Sequence, residues 1–396
     1  MVASMLPNLS VVLMLAILAN GVAASNGISF VGNINAYSFD DASHHLFFAQ
    51  SRYWIFYPFG TYWGQHISYS SSLDGRIWFD PSYVNLPIFC SKGPSSPLCA
   101  ELGSLVATSD GTYVYLGFGG GDGIWFAFAG LNSNGSITLN ADGGSLKQVS
   151  SQGGHRFSIG LNSGGHVFIA SSGYGCSLCV FDSSTSPYTS WTNSLRVSQT
   201  SSDTPVILPY KTGQVMVIEG NYSNIWNGSW ATAISIPRNS GPDNYAFFAH
   251  GIVLLFKRTE SCQTTNGLEC VSFLTFNGMK WSTEHVTNVV VSVDHYFRTQ
   301  FAITYDGSND RFLIFTHDPT ATILYEYSGH VHSTSYQRTT IAAEGSLIEP
   351  MTSIETTHVN STTHVDNVAV AWQESSCGNN PDASDCILAY VGPTQA

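Results

Sequence analysis

The chain has 396 residues and a formal net charge of −13, with charged side chains at only 10% of positions against roughly 25% in an ordinary soluble domain. Aromatics at 13% exclude a disordered chain, the scarcity of Glu and Lys excludes a coiled coil, and the lack of clustered Lys/Arg excludes a nucleic-acid partner. A compact, weakly charged, β-rich protein remains.

The N-terminus carries a nine-residue apolar run, Val11 to Ala19, followed by the small residues Val22-Ala23-Ala24 of a cleavage site. The run is too short to cross a bilayer, which takes about 20 residues. Residues 1–24 are therefore expected to be a secretory signal, although no Lys or Arg precedes the run. Residues 25–396 are expected to form one β domain, secreted or at the cell surface, with no membrane span in the mature chain.

Ile28-Ser-Phe-Val31 reads as a spare apolar strand. After it a unit recurs: a short apolar strand, a tight turn, then a second apolar strand. Clear copies span Leu105 to Phe118, Phe157 to Ala170, Val206 to Ile218 and Phe301 to Phe315. Weaker copies centre on Ser51-Arg52, His250-Gly251 and Val365-Asp366. Apolar alternation around a Gly/Asp/Asn turn is the hairpin signal, and self-similarity at this period marks a repeat architecture. A third strand follows each hairpin, as in His66 to Tyr69, Ile124 to Phe128, Val271 to Thr275 and Ile323 to Tyr327. The last unit stops at a third strand, Ile387 to Val391, so the spare strand at residues 28–31 is expected to complete it and join the two termini.

Two third strands lead into a special turn, Ser72-Leu-Asp74-Gly75-Arg-Ile-Trp78 and Thr275-Phe-Asn277-Gly278-Met-Lys-Trp281. The hydroxyl and the Asx oxygen can cap turn amides, Gly takes positive φ, and Trp packs between neighbouring sheets. Degenerate versions are Asn132-Ser-Asn134-Gly135 and Asn227-Gly-Ser-Trp230. These turns resemble the Asp-box of the sialidase-type (BNR-repeat) β-propellers. The resemblance implies an all-β propeller closed by the N-terminal strand. Seven repeats predict seven blades; six, the number in sialidases, is the alternative. The box itself reads as a folding element on the blade edge.

Export agrees with eight cysteines in four local pairs, Cys90/Cys99, Cys176/Cys179, Cys262/Cys270 and Cys377/Cys386, for which nearest-neighbour disulfides are the economical expectation. Residues i and i+3 point to opposite faces of a straight strand, so a Cys176–Cys179 bridge requires a turn. A redox or metal role stays open for that pair. Sequons at Asn134, Asn221, Asn227 and Asn360 are candidate glycosylation sites.

In a propeller the innermost strand of every blade starts at one common face, so residues just before those strands converge on the axis. The repeats place Asp41, His44 and His45 there, then Glu101, His155 and Arg156, Asp203, Asp243 and Asn244, then Asp294, His295, Tyr296 and Arg298, and finally Glu349. Carboxylates hydrogen-bond sugar hydroxyls and two of them can work as acid and base on a glycosidic bond. Arg156 and Arg298 suit the carboxylate of an acidic sugar. Trp54, Tyr62 and Trp63 lie in an aromatic stretch, part core and part candidate sugar platform. The resemblance implies an arginine cluster, an aspartate acid/base and a Tyr–Glu nucleophile pair. Only part of it is matched: Arg156 and Arg298 as two of the arginines, Asp203 as a carboxylate and Tyr296 as the tyrosine. By their axial positions Asp203, Asp243, Glu349 and Tyr296 are the candidate catalytic residues, and Arg156, Arg298, His155, Glu101, Asp41 and His295 the substrate-binding ones. The family's N-terminal Arg-Ile-Pro signature and a third axial arginine are absent. No cofactor is expected, and a structural Ca²⁺ held by axial carboxylates stays open. His330-Val-His332 sets two imidazoles on one strand face without a third ligand nearby. The expected ligand is a carbohydrate or glycoprotein. Three functions fit: glycan recognition, glycoside hydrolysis, and a non-catalytic structural or adhesion role in an envelope or filament.

Overall fold

The computed structural model describes residues 28–33, 45–59, 66–84, 86, 104–120, 123–139, 146–152, 154, 156–173, 176–184, 186–197, 204–237, 244–259, 262, 268–291, 301–306, 309–317, 323–343, 347–351, 367–374 and 386–393. Every regular element among them is a strand. β1 (Ile28–Asn33) comes first. β2 (Leu46–Ala49), β3 (Arg52–Phe59), β4 (His66–Ser72) and β5 (Ser82–Tyr83) form the first sheet. β6 (Ser104–Ser109), β7 (Tyr113–Gly120) and β8 (Gly123–Leu131) form the second, with β9 (Ile137–Leu139) and β10 (Leu146–Ser150) sharing its outer edge. β11 (Arg156–Leu161), β12 (Val167–Gly173), β13 (Cys176–Ser183) and β14 (Thr192–Val197) form the third. β15 (Val206–Pro209), β16 (Val215–Glu219), β17 (Tyr222–Trp226) and β18 (Ile234–Ser235) form the fourth. β19 (Asn244–Ala249), β20 (Ile252–Thr259), β21 (Glu269–Phe276) and β22 (His285–Val291) form the fifth, and β23 (Phe301–Asp306), β24 (Arg311–His317), β25 (Ile323–His330) and β26 (Gln337–Ala343) the sixth. β27 (Leu347–Met351), β28 (Asn367–Glu374) and β29 (Cys386–Pro393) form the seventh together with β1.

All pairings are antiparallel, so each sheet is a meander. The sheets follow one another in a circle. β2 contacts β6, β6 contacts β11, β11 contacts β15, and β15 contacts β19. β22 contacts β24, β23 contacts β27, and β28 returns to β2. The chain is therefore a β-propeller, with the first strand of each sheet innermost. β1 closes the circle as expected: Ile28 faces Tyr390, Ser29 faces Ala389, and Val31, at a register shift, is buried.

The composition follows from this packing. The inner strands of the first six sheets are buried on both faces, so neighbouring residues of one strand enter different cores. Leu105 packs with Phe47, Trp54 and Phe56 of the first sheet, whereas Val106 packs with Phe157 and Ile169 of the third. Ile207 and Leu208 split in the same way between the third and fifth sheets. Strands buried on both faces need apolar residues at consecutive positions, which leaves little room for charge. Trp54, in the part of the aromatic stretch before the expected tip, is fully buried and its indole N–H donates to the Ala49 carbonyl at 2.9 Å, so it belongs to the core. Tyr62 and Trp63 lie outside the described residues.

Because the innermost strands run the same way, the sheets have two distinct ends. The starts of the innermost strands share the leading end. The first hairpin turns and the special turns share the turn end. There Gln50-Ser51 and His250-Gly251 each place both central residues at positive φ, 53° and 57°, then 50° and 78°, the twist-matched hairpin geometry. The special turns are formed as their residues dictate. Asp74 Oδ1 accepts from the Arg76 and Ile77 amides at 2.8 and 2.9 Å, and the Gly75 amide donates to Ser72 Oγ at 2.8 Å. Asn277 Oδ1 does the same for Met279 and Lys280 at 3.0 and 3.1 Å. Trp281 Nε1 reaches Ser223 Oγ of the fourth sheet, and Trp230 Nε1 reaches Ser194 Oγ of the third, both at 3.0 Å.

Cys262 and Cys270 form a disulfide, and Cys179 is disulfide-bonded. The register of β12 against β13 shifts between Ser171 and Gly173, opposite the Cys176 to Cys179 span, which supplies a local bend. Cys176 and Cys386 begin β13 and β29, and Cys90, Cys99 and Cys377 lie outside the described residues.

Candidate functional site

The leading end gathers the starts of seven innermost strands, each from a different repeat. Of the residues expected there, Asp41, His44, Glu101, His155, Asp203, Asp243, Asp294, His295, Tyr296 and Arg298 lie outside the described residues. Glu349 stands inside β27, opposite Gln373, and Asn244 is the first residue of β19, opposite Lys257. His45 directly precedes β2, is 2% exposed, and its carbonyl accepts from the Phe56 amide at 2.9 Å. That places its imidazole in the wall of the first sheet.

Arg156 is the first residue of β11, opposite the buried Ser172. Strand alternation puts Arg156 on the same face as Ser158, whose Oγ accepts from the Ile207 amide of the fourth sheet at 3.0 Å. Phe157 and Ile159 occupy the other face, packed on the second sheet. Arg156 therefore stands at the seam between the third and fourth sheets, next to the start of β15, which the buried Thr204 precedes. The side chain is half-buried. Its Nη1 is shielded from solvent and has no hydrogen-bond partner among the described residues. A buried guanidinium N–H without an acceptor is costly, so this is a donor position suited to an anion.

A second charged group near the leading end escaped the sequence reading. On β20, Lys257 is 3% exposed at its side chain and faces Glu284 Oε1 at 3.4 Å, while Ser272 Oγ donates to the same oxygen at 2.6 Å. Burial by itself pushes the Glu284 carboxyl up. The Ser272 hydroxyl and the Lys257 ammonium outweigh it and hold the group below the ordinary carboxylate range. Arg258 Nη1 pairs with Glu269 Oε2 at 3.2 Å on the opposite face of the same hairpin. The signal that marks Lys257 as internal is its i−2 and i−4 neighbours, Leu255 and Val253, both fully buried.

At the turn end two polar clusters bridge neighbouring elements. Asp310 Oδ1 meets His250 Nε2 at 2.5 Å and accepts from Tyr305 OH at 2.9 Å, joining the fifth and sixth sheets. His250 draws the Asp310 carboxyl below its usual range. In the third sheet's neighbour, Asp110 Oδ2 accepts from Tyr115 OH at 2.8 Å. His330 and His332 do not share a strand face. β25 ends at His330, and His332 turns away with φ 69°. No group of three or more His, Cys, Asp or Glu among the described residues is arranged to hold a metal ion. Nor is any helix among them long and apolar enough to cross a membrane.

No family model matches the chain, and no curated protein matches it. Solved structures do. A polysaccharide lyase, PL25 ulvan lyase, is 11% identical with a TM-score of 0.52, over 92% of this chain and 95% of that one. The polysaccharide lyase Uly1 is 10% identical with a TM-score of 0.50, over 91% of each chain. The NanB sialidase of Streptococcus pneumoniae is 11% identical with a TM-score of 0.45, over 93% of this chain and 71% of that one. At these identities the likeness to the two lyases is one of fold, and it agrees with the propeller read from the sheets themselves.

Proposed function

We propose that the protein is an extracellular propeller, its seven sheets the blades of one ring, that recognises anionic glycans at the leading end. The observation that carries this reading is Arg156, half-buried at a seam of that end with a shielded guanidinium N–H lacking an acceptor among the described residues. Support comes from two directions. The solved propellers of similar fold include polysaccharide lyases. The Cys262–Cys270 disulfide suits an oxidising compartment. Asp203, which immediately precedes the buried Thr204 in the chain, is the proposed acidic partner for a sugar hydroxyl. Arg298, His155, Glu101, Asp41 and His295 join Arg156 as proposed binding residues. Hydrolysis is the further step of the same reading, with Asp203, Asp243, Glu349 and Tyr296 as its proposed groups.

The test is calorimetric titration of wild-type and Arg156→Ala protein with uronic-acid-containing, sulfated and neutral polysaccharides, with folding checked by thermal unfolding. Loss of a charge-assisted hydrogen bond of about 1.5–3 kcal/mol predicts an affinity loss of roughly 10- to 150-fold for the anionic ligands alone. Equal binding of anionic ligands by a folded Arg156→Ala variant would remove Arg156 from recognition. Failure to bind any glycan would favour the structural or adhesion role instead.

A further inference from the structure

Two of the special turns are built differently from the other two. Where the first and fifth sheets carry Asp74-Gly-Arg and Asn277-Gly-Met, the second and fourth carry Asn134-Gly-Ser and Asn227-Gly-Ser, both acceptor sequences for N-linked sugar. The turn geometry decides which atom of Asn134 faces outward. Asn134 Oδ1 accepts from the Ser136 amide at 3.0 Å and from Ser136 Oγ at 2.7 Å, in the manner of Asp74 Oδ1. The carboxamide oxygen is thus turned onto its own turn, and Nδ2, the atom that bears an N-glycan, lies on the other side of an exposed residue. Gly135 and Gly228 hold positive φ, 91° and 79°, which shapes both turns without side-chain bulk. Asn227, Gly228 and Ser229 are all exposed, and a Cβ built on Gly228 would meet nothing within 4 Å.

We propose that Asn134 and Asn227 carry N-linked oligosaccharides, presented by the special turns on the turn end of the second and fourth sheets. Glycans there cover the end opposite to Arg156 and leave the leading end open. The third described sequon, Asn221, turns between β16 and β17 at the leading end and forms no part of the proposal.

The full chain is secreted from a eukaryotic host, and its intact mass is compared before and after peptide-N-glycosidase treatment, with deamidation mapping of the tryptic peptides. Both Asn134 and Asn227 are expected to be occupied. Asn134→Asp keeps the oxygen that clamps the turn and removes the amide nitrogen, so it should be secreted at wild-type level with one glycan fewer. Ser229→Ala should remove the Asn227 glycan in the same way. A folded, secreted chain with either asparagine unmodified overturns the proposal for that site. So does an Asn134→Asp variant that keeps the full glycan mass.

Discussion

The inter-sheet tryptophan offers the sharpest test of how these sheets are held in a circle. Trp281 is 5% exposed, packs at a tilt against Phe276 with ring centroids 5.2 Å apart, and donates through Nε1 to Ser223 Oγ, a fully buried oxygen of the fourth sheet. Truncation to alanine removes a buried indole and opens a cavity at the seam, worth about 3–5 kcal/mol. A chain of 396 residues has an unfolding entropy of about 0.8 kcal/mol/K, so Tm should drop by roughly 4–6 °C. Trp281→Phe isolates the polar part. It keeps an aromatic ring but withdraws the donor from Ser223, at about 1–3 kcal/mol beyond the lost area. Ser223→Ala should cost a similar amount, because the indole N–H then loses its acceptor. The double variant should be less destabilised than the two singles together by about 1 kcal/mol. Calorimetry and denaturant titration on protein from a host that adds no N-glycans read all four corners of the cycle. Strict additivity would refute the inter-sheet bond, and a Trp281→Ala cost below about 1 kcal/mol would refute the buried seam. Trp230 with Ser194 gives an independent repeat of the measurement.

Two further outcomes follow from the same geometry. Asp74 has its carboxyl held below the ordinary value: burial opposes this, but the Ile77 and Arg76 amides and the Ser72 hydroxyl prevail. A lowered folded pKa contributes stability above the unfolded value of 3.8, and that contribution is lost as pH falls through the lower folded value. Asp74→Asn should therefore flatten the stability profile below about pH 4 while remaining near wild type at pH 7, as Asn277 already does in the fifth sheet; Asp74→Ala should cost about 1 kcal/mol at pH 7 in thermal unfolding. Replacing Cys262 and Cys270 together by serine releases an eight-residue span, for which chain entropy predicts a loss of about 2.5 kcal/mol, read as a Tm about 3 °C lower; an unchanged Tm would show that the bridge constrains nothing.

The fold was legible because its signals are local. A hairpin turn announces itself in two or three residues, as at His250-Gly251, where the backbone needs positive φ twice. The third strands and the special turns follow each hairpin within a few residues, so a repeat can be counted without knowing any long-range contact. Closure needed one global inference, and it came from an imbalance: a spare strand at the start and a missing fourth strand at the end. One failure was also local in origin. His330-Val-His332 looks like strand alternation, but β25 ends inside the triplet and the second histidine leaves the face. In the aromatic stretch Tyr53 to Trp63 the expected core part includes Trp54, which is fully buried, while the expected tip at Tyr62 and Trp63 lies outside the described residues.

The candidate site was less legible, since its residues come one from each repeat and share no spacing. A charged residue before an apolar strand reads alike whether it lines a ligand site or faces water. Position along the buried stripe separates the cases. Lys257 extends the fully buried stripe of Val253 and Leu255, and it is held inside by Glu284 and Ser272. Its charge is committed to the protein. Arg156 begins its stripe, one pleat before the buried Ser158, so its stem can stay packed at the seam while its head reaches the leading end. Of Lys257 and Arg156, only the half-buried arginine at the margin is placed to exchange protein contacts for those of a ligand; Arg52 and Arg311, which also hold a shielded guanidinium nitrogen without a partner among the described residues, stand at the turn end.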